Sequence, residues 1–312
     1  MEKYIRKRLL QLIPILLGVS FITFALMYIA PSDPAEMKLS AQGTAVSQEI
    51  LDETRAEMGL NKPFLEQYLT WLLNLLKGDM GVSYVDNIAV SQKIVKAMPS
   101  TIILAASSML LTLLIAIPLG ILAAIRQNQW LDYGIRFFTF VGTSIPNFFL
   151  ALVLIYVFAM QLGWLPVLAS GSIRGLILPT IALSTVMVSK YIRQIRAAVL
   201  EELNKDYVMG ARSRGIQENV ILYKNVLRNS MITVVTLIGL SIGSLLGGAA
   251  VVETIFVWRG LGKMVVDAIG ARDYPVIQGF VVWMAIIYVV VNLLTDLSYH
   301  LLDPRVKEGW ET

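Results

Sequence analysis

Residues Thr101 to Ile125 read TIILAASSMLLTLLIAIPLGILAAI, with no Asp, Glu, Lys or Arg anywhere in the run. A bilayer core about 30 Å thick is crossed by roughly 20 consecutive apolar residues in a helix. This stretch meets that requirement, and no alternation of polar and apolar positions competes with it. Four more stretches share the character: Leu9–Ala30, Phe137–Met160, Met231–Val252 and Tyr274–Thr295, all without a charged residue. The fold class expected is an all-α polytopic membrane protein.

The count of spans turns on a weaker segment. Leu176–Ser189 is uncharged but short, and it runs into Lys190, Arg193 and Arg196. The N-terminus carries Lys3, Arg6, Lys7 and Arg8, and loops rich in Lys and Arg stay cytoplasmic. If Leu176–Ser189 did not cross, Lys190, Arg193, Arg196, Lys205, Arg212, Arg214, Lys224 and Arg228 would all lie outside. A crossing there puts them inside and leaves only Arg174, Arg259, Lys263 and Arg272 in the short outer loops. Six spans with both ends cytoplasmic are therefore expected. The segments are a basic N-terminus 1–8, a first span 9–30 and an outer loop 31–100 holding short helices. Spans follow at 101–125, 137–160 and 174–192, then a cytoplasmic segment 197–229, spans at 231–252 and 274–297, and a cytoplasmic tail 298–312. The first span is longer than the 7–15 apolar residues of a signal peptide core, so it reads as retained.

Composition agrees. Of 312 residues 56% are hydrophobic and 15% charged, against about 25% charged in soluble domains, and mean hydropathy is +0.67. The net charge of +4 follows from topology, and nucleic-acid binding has no motif behind it. With no Cys and a single His, thiol catalysis and His- or Cys-based zinc sites are excluded. No G-x-x-x-x-G-K-[ST] phosphate loop is present, and no catalytic constellation can be assembled, so the chain reads as a non-enzyme.

Three features remain. Gly239, Gly243 and Gly247 recur every four residues, a spacing that lets another backbone approach closely. They mark either packing within the chain or a pathway and subunit seam. Asp296, with Asn292 and His300 one turn to either side, is an intramembrane acid or one wetted at the helix end. In the outer loop, residues 47–58 read as a short helix capped by Ser47. Pro63 to Lys77 reads as another, whose stripe of Phe64, Tyr68, Trp71, Leu72, Leu75 and Leu76 rests on the bilayer interface or on neighbouring spans. Pro118, Pro146 and Pro179 are expected to kink their spans.

The cytoplasmic segment contains Asp206-Tyr207-Val208-Met209-Gly210-Ala211-Arg212-Ser213-Arg214-Gly215, a helical run with mixed charge and a glycine stop. A multi-span chain with no nucleotide site and a dockable inner helix suggests energy supplied by another chain. The sequence here resembles ABC importer permeases of the peptide/nickel family over nearly its whole length. The resemblance is carried by Asp33-Pro34-Ala35, Gly59-Leu60-Asn61-Lys62-Pro63, Gly78-Asp79-Met80-Gly81, Ile117-Pro118-Leu119-Gly120 and Ser144-Ile145-Pro146-Asn147. Further pieces are Leu178-Pro179, Asp206-Tyr207-Val208, Val252-Glu253-Thr254-Ile255-Phe256, Arg272-Asp273-Tyr274-Pro275-Val276 and Leu302-Asp303-Pro304-Arg305.

The resemblance implies a type I ABC importer permease-like bundle in a bacterial inner membrane. It implies pairing with a second homologous permease, two ATPase subunits beneath, surrounding membrane lipid, and an extracytoplasmic binding protein that delivers substrate. ATP and Mg would be used by the ATPases, and no cofactor would be bound by this chain. Asp206–Gly215 matches the family's coupling loop, E-A-A-x-x-x-G, with Met209 and Gly210 replacing its first two positions and Ala211 and Gly215 kept. Ala211 and Gly215 would share one small face for a groove on the partner, and Arg212 and Arg214 would reach its acceptors. Asp206 would favour the helix start, with Tyr207 beside it. Thr233 and Arg259 depart from the family's prolines. Segment 33–63 leans toward nickel-type members, so nickel or a nickel chelate is expected as cargo, with di- and oligopeptides beside it. The competing reading is a self-sufficient secondary transporter or channel.

Overall fold

A computed structural model of the chain describes residues 2–30, 33–41, 47–169 and 172–302. The helices in chain order are α1 Glu2–Ile29, α2 Pro34–Ala41, α3 Gln48–Glu57, α4 Phe64–Leu76, α5 Val90–Ile125, α6 Trp130–Ser144, α7 Asn147–Leu154, α8 Ile173–Leu203, α9 Asp206–Ser213, α10 Glu218–Val220, α11 Leu227–Ile255, α12 Leu261–Gly270 and α13 Tyr274–Leu302. Two π-helical stretches adjoin them: Ile155–Gln161 continues α7, and Ile221–Val226 leads into α11. Among the described residues there is no strand, only an isolated bridge between Val82 and Ala89. The all-α class holds, and five helices are long and apolar enough to cross a membrane.

A sixth crossing exists if α6 and the α7 run are one broken span. The two halves meet at 99°, so the kink expected at Pro146 within the span 137–160 is a sharp corner. The cause is local. Pro146 disfavours helical geometry at the residue before it, and Ile145 is extended at φ −87°, ψ 123°. The helix stops at Ser144 and restarts at Asn147. The helix with Leu176–Ser189 at its centre also extends beyond the expected 174–192, running through Lys190, Arg193 and Arg196 to Leu203. The segment 197–229 therefore begins inside a long helix, not in a loop.

The chain divides into two compact units. The first comprises Met1–Thr101 and Arg259–Val290, the second Ile102–Trp258 and Val291–Thr312. In the first unit α4 lays its aromatic stripe on α1. Phe64 and Tyr68 meet Phe21 and Phe24 edge to face, with ring centroids 5.3–5.6 Å apart, and the Tyr68 hydroxyl lies 3.1 Å from Ser20 Oγ. The side chain of Ser47 caps α3 by accepting the Ile50 N–H. Buried Asp273 accepts the Ser83 hydroxyl and, at 3.0 Å, the Tyr84 N–H. Lys93 donates to Asp86 at 2.7 Å and to Ser83 at 3.2 Å. Burial, then the Asp273 charge, push the Tyr84 phenol up to about 12.

In the second unit α8 is the spine, packed on α6, α7 and α11. Its stripe Tyr191, Ile192, Ile195 and Val199 forms one apolar core with residues of α5, α9, the π-helical turn and α11. A second core joins Leu178, Ala182 and Leu183 to Ala249, Val252 and Phe256. Between α6 and α8 the Asp132 carboxylate is fully covered. It takes both Arg196 Nε and Nη2 at 2.7 Å and the Asn128 N–H at 3.0 Å.

Removing one partner of a covered ion pair strands a charge and costs about 3 kcal/mol, whereas exposed pairs are worth under about 1 kcal/mol. Asp132→Ala is therefore expected to lower the thermal midpoint of the detergent-solubilised protein by several degrees. Lys62→Ala, which removes the exposed pair with Glu66, should leave it nearly unchanged. Fluorescence-detected melting checks both.

Candidate functional site

Helix α8 ends on Asn204, and Lys205 takes an extended conformation at φ −76°, ψ 151° before α9 begins at Asp206. The carboxylate of Asp206 stands in the first turn, where the exposed N–H groups and the helix dipole favour negative charge. Along α9 the buried positions are Val208 and Ala211, one turn apart, and both enter the α8 core beside Val199, Ile221 and Val226. Asp206, Tyr207, Met209, Gly210, Arg212, Ser213 and Arg214 face outward.

This changes the expected roles. Ala211, at 2% exposure, seats the helix on its own unit and offers no groove face to a partner. Gly215 does not share a helical face with it, because α9 has already ended. Gly215 holds φ +74° and donates its N–H to Arg212 O at 2.9 Å, while Ile216 donates to Ala211 O at 3.2 Å. That bond pair is the Schellman termination, which calls for a left-handed residue at this position. A Cβ on Gly215 would meet nothing within 4 Å, so glycine is required by backbone conformation and not by space.

The two arginines are held within the chain. Arg212 forms a forked pair with Glu218 at 2.7 and 3.2 Å, and that carboxylate raises its pKa. Arg214 donates to Gly210 O at 3.1 Å. A docking partner would have to exchange with these bonds.

What fixes α9 from below is a cluster that sequence reasoning missed. Glu202, on the last turn of α8, accepts from Lys205, from the Tyr207 hydroxyl at 2.7 Å and from Asn229 Nδ2 at 3.3 Å. Asn229 also donates to the Tyr207 oxygen at 3.3 Å. One largely buried carboxylate thus joins the end of α8, the start of α9 and the first turn of α11. Burial, then the Glu202 carboxylate, raise the Tyr207 pKa. A signal was available: Tyr191, Ile192, Ile195 and Val199 form a stripe at helical spacing, and Glu202 is its next position.

The glycine line lies elsewhere, on α11. Gly239 is buried, and a Cβ there would fall 2.7 Å from Thr295 Cβ on α13, so its close approach is to a helix of the same unit. Gly243 is half-buried. The surroundings of Gly247 and the side chains of Asp296 and His300 lie outside the described residues. In the first unit a cavity of about 980 Å³ opens among α1, α3, α4 and the Met80–Asn87 segment. The Asp33–Arg55 ion pair, 2.5 Å, stands on its wall.

Comparison with known proteins places this geometry. A family model described as "Binding-protein-dependent transport system inner membrane component" matches residues 116–308, and one for the N-terminal part of such components matches residues 1–105. The oligopeptide transport system permease protein AppB of Bacillus subtilis is 41% identical, over 98% of this chain and 100% of its own length. The dipeptide transport system permease protein DppB of Alkalihalophilus pseudofirmus is 37% identical over the same shares. Among solved structures, a chain of the MetNI methionine ABC transporter in an inward-facing conformation aligns with a TM-score of 0.57 at 18% identity. The alignment covers 68% of this chain and 97% of that one, and it speaks for the fold.

A left-handed residue with a side chain costs roughly 1–2 kcal/mol unless it is Asn or Asp. Gly215→Val is expected to loosen the end of α9, seen as faster proteolysis between Arg212 and Arg214. Gly215→Asn should leave the cleavage rate within about twofold of the parent.

Proposed function

The chain belongs to the family of binding-protein-dependent transport system inner membrane components, and from that premise we propose that it forms half of the translocation path of an ATP-driven importer of di- or oligopeptides. It is a multi-pass permease of the peptide family of ABC importers, a class that works with ATPase and substrate-binding subunits. The finer assembly proposed is one second, homologous permease, two ATPases on the side of α9, and one extracytoplasmic binding protein. The membrane is the bacterial inner membrane with both chain ends cytoplasmic. ATP and Mg would act on the partner ATPases.

The lean toward nickel is given up. It rested on the wording of segment 33–63, and the relatives compared above are named for oligopeptides and dipeptides. A self-sufficient transporter or channel is likewise not favoured, since the family works with other subunits.

The observation that carries the coupling role is the bonding of α9. A short helix with an outward polar face is seated by Val208 and Ala211 and tied through Glu202 to two long helices at once. A push on its outer face by an ATPase would reach α8 and α11 together. Such a push can select between two arrangements of the bundle. Asp206, Tyr207, Arg212 and Arg214 supply the outer face, while Ala211 and Gly215 hold it in place. The Gly239–Gly243–Gly247 face is proposed to set how closely α11 and α13 approach as they move.

The test is uptake of a radiolabelled dipeptide by vesicles containing the whole transporter and its binding protein. Glu202→Gln with Tyr207→Phe is expected to cut uptake at least fivefold while ATP hydrolysis stays within about twofold, since a phenyl ring has no hydroxyl to donate and an amide oxygen accepts more weakly than a carboxylate. Unchanged uptake per ATP would remove α9 from the coupling path.

A further inference from the structure

Between α6 and α8 lies a groove of about 610 Å³. Tyr133, Arg136, Phe137 and Phe140 line it from α6, Arg193 and Arg196 from α8. Its three guanidinium groups are not equivalent. Arg196 is neutralised by the forked pair with Asp132, whose two oxygens are filled by it and by Asn128 N–H. Arg136 and Arg193 are exposed and hydrogen-bond to no acid among the described residues. Arg136 stands 5.8 Å from the centre of the Tyr133 ring. The groove therefore carries two uncompensated positive charges.

Its surroundings state where it works. Trp130 and Tyr133 stand in the first turns of a membrane-embedded helix and are 78% and 57% exposed, and Phe137, Phe138 and Phe140 follow at 63–73%. Indole and phenol rings at a helix start settle at headgroup level, and bare phenylalanines beyond them suit acyl chains. Going inward along α6, the groove runs from interfacial aromatic to arginine to hydrocarbon-facing aromatic. A phospholipid presents the same order, phosphate first and chains beyond.

We propose that this groove is a specific site for an anionic phospholipid, with the phosphate held between Arg136 and Arg193 and an acyl chain lying along Phe137 and Phe140. Guanidinium groups bind phosphate oxygens in a forked geometry, and each basic residue near an anionic lipid surface is worth about fivefold in binding. Asp132 and Arg196 hold α6 on α8, and they would keep the two free arginines facing one another without taking part in binding. The inference goes beyond the transport reading and rests only on the chain being embedded in a membrane.

The test uses the intact transporter, equilibrated in detergent with equimolar phosphatidylglycerol and phosphatidylethanolamine and examined by native mass spectrometry. Retained lipid is expected to favour phosphatidylglycerol about 25-fold. Arg136→Gln with Arg193→Gln should bring that ratio close to one. Arg136→Lys with Arg193→Lys should keep most of it, which separates charge from any loss of folding. A photo-crosslinking residue at Phe137 should capture lipid. Three results would each overturn the proposal: equal selectivity in parent and Gln variant, binding of inorganic phosphate alone as strong as that of the lipid, or capture of a second permease subunit at position 137.

Discussion

A peptide group inside hydrocarbon finds no water, so every N–H and C=O must be bonded within the protein. This constraint decides what the chain can be. It explains why the described residues hold helices and one isolated bridge. It also governs where irregular backbone is allowed. The break at Ile145 and Pro146 falls where proline has already removed a donor, and the two halves bend away from one another. Charge obeys the same rule. Asp132 is covered only because Arg196 and the Asn128 N–H fill both its oxygens, and Glu202 is buried with three donors around it.

The same economy places buried acids such as Asp132 and Glu202 near the ends of helices. Within the long apolar stretches the side chains can do little but pack. Where α8 runs out, the acid at the next position of its buried stripe can gather groups from three elements. Val208 and Ala211 add apolar anchorage on the far side. The outcome is a short helix with one face sunk in the bundle and one polar face exposed, a division that neither packing nor charge alone would give.

Much of this was legible beforehand. The apolar runs fixed the class, and the weak Leu176–Ser189 segment lies in a helix long and apolar enough to cross a membrane. Ser47 and Pro63 correctly marked the starts of α3 and α4. Arg212 and Arg214 lie exposed, each bonded within the chain to Glu218 or to Gly210 O. What escaped has physical causes. Small residues read as room for a partner, but Ala211 is small because α9 lies against its own core. Gly215 is a matter of backbone torsion, which residue size does not report. The pairings Glu202–Asn229 and Ser83–Asp273 join positions far apart in the chain, and local pattern carries no information about them. Pro146 was read as a kink because proline bends many membrane helices, while the extended geometry of Ile145 makes it a corner.

The two long helices joined at Glu202 do not begin alike. α8 reaches the junction as regular α-helix, while α11 rises from the wide π-helical turn Ile221–Val226. Such a turn carries one residue more than regular winding needs and can shift along the chain at little cost. A displacement delivered through α9 would accordingly move one helix as a stiff rod and meet slack at the root of the other. On the coupling proposed above, the chain would be driven on one side and sprung on the other.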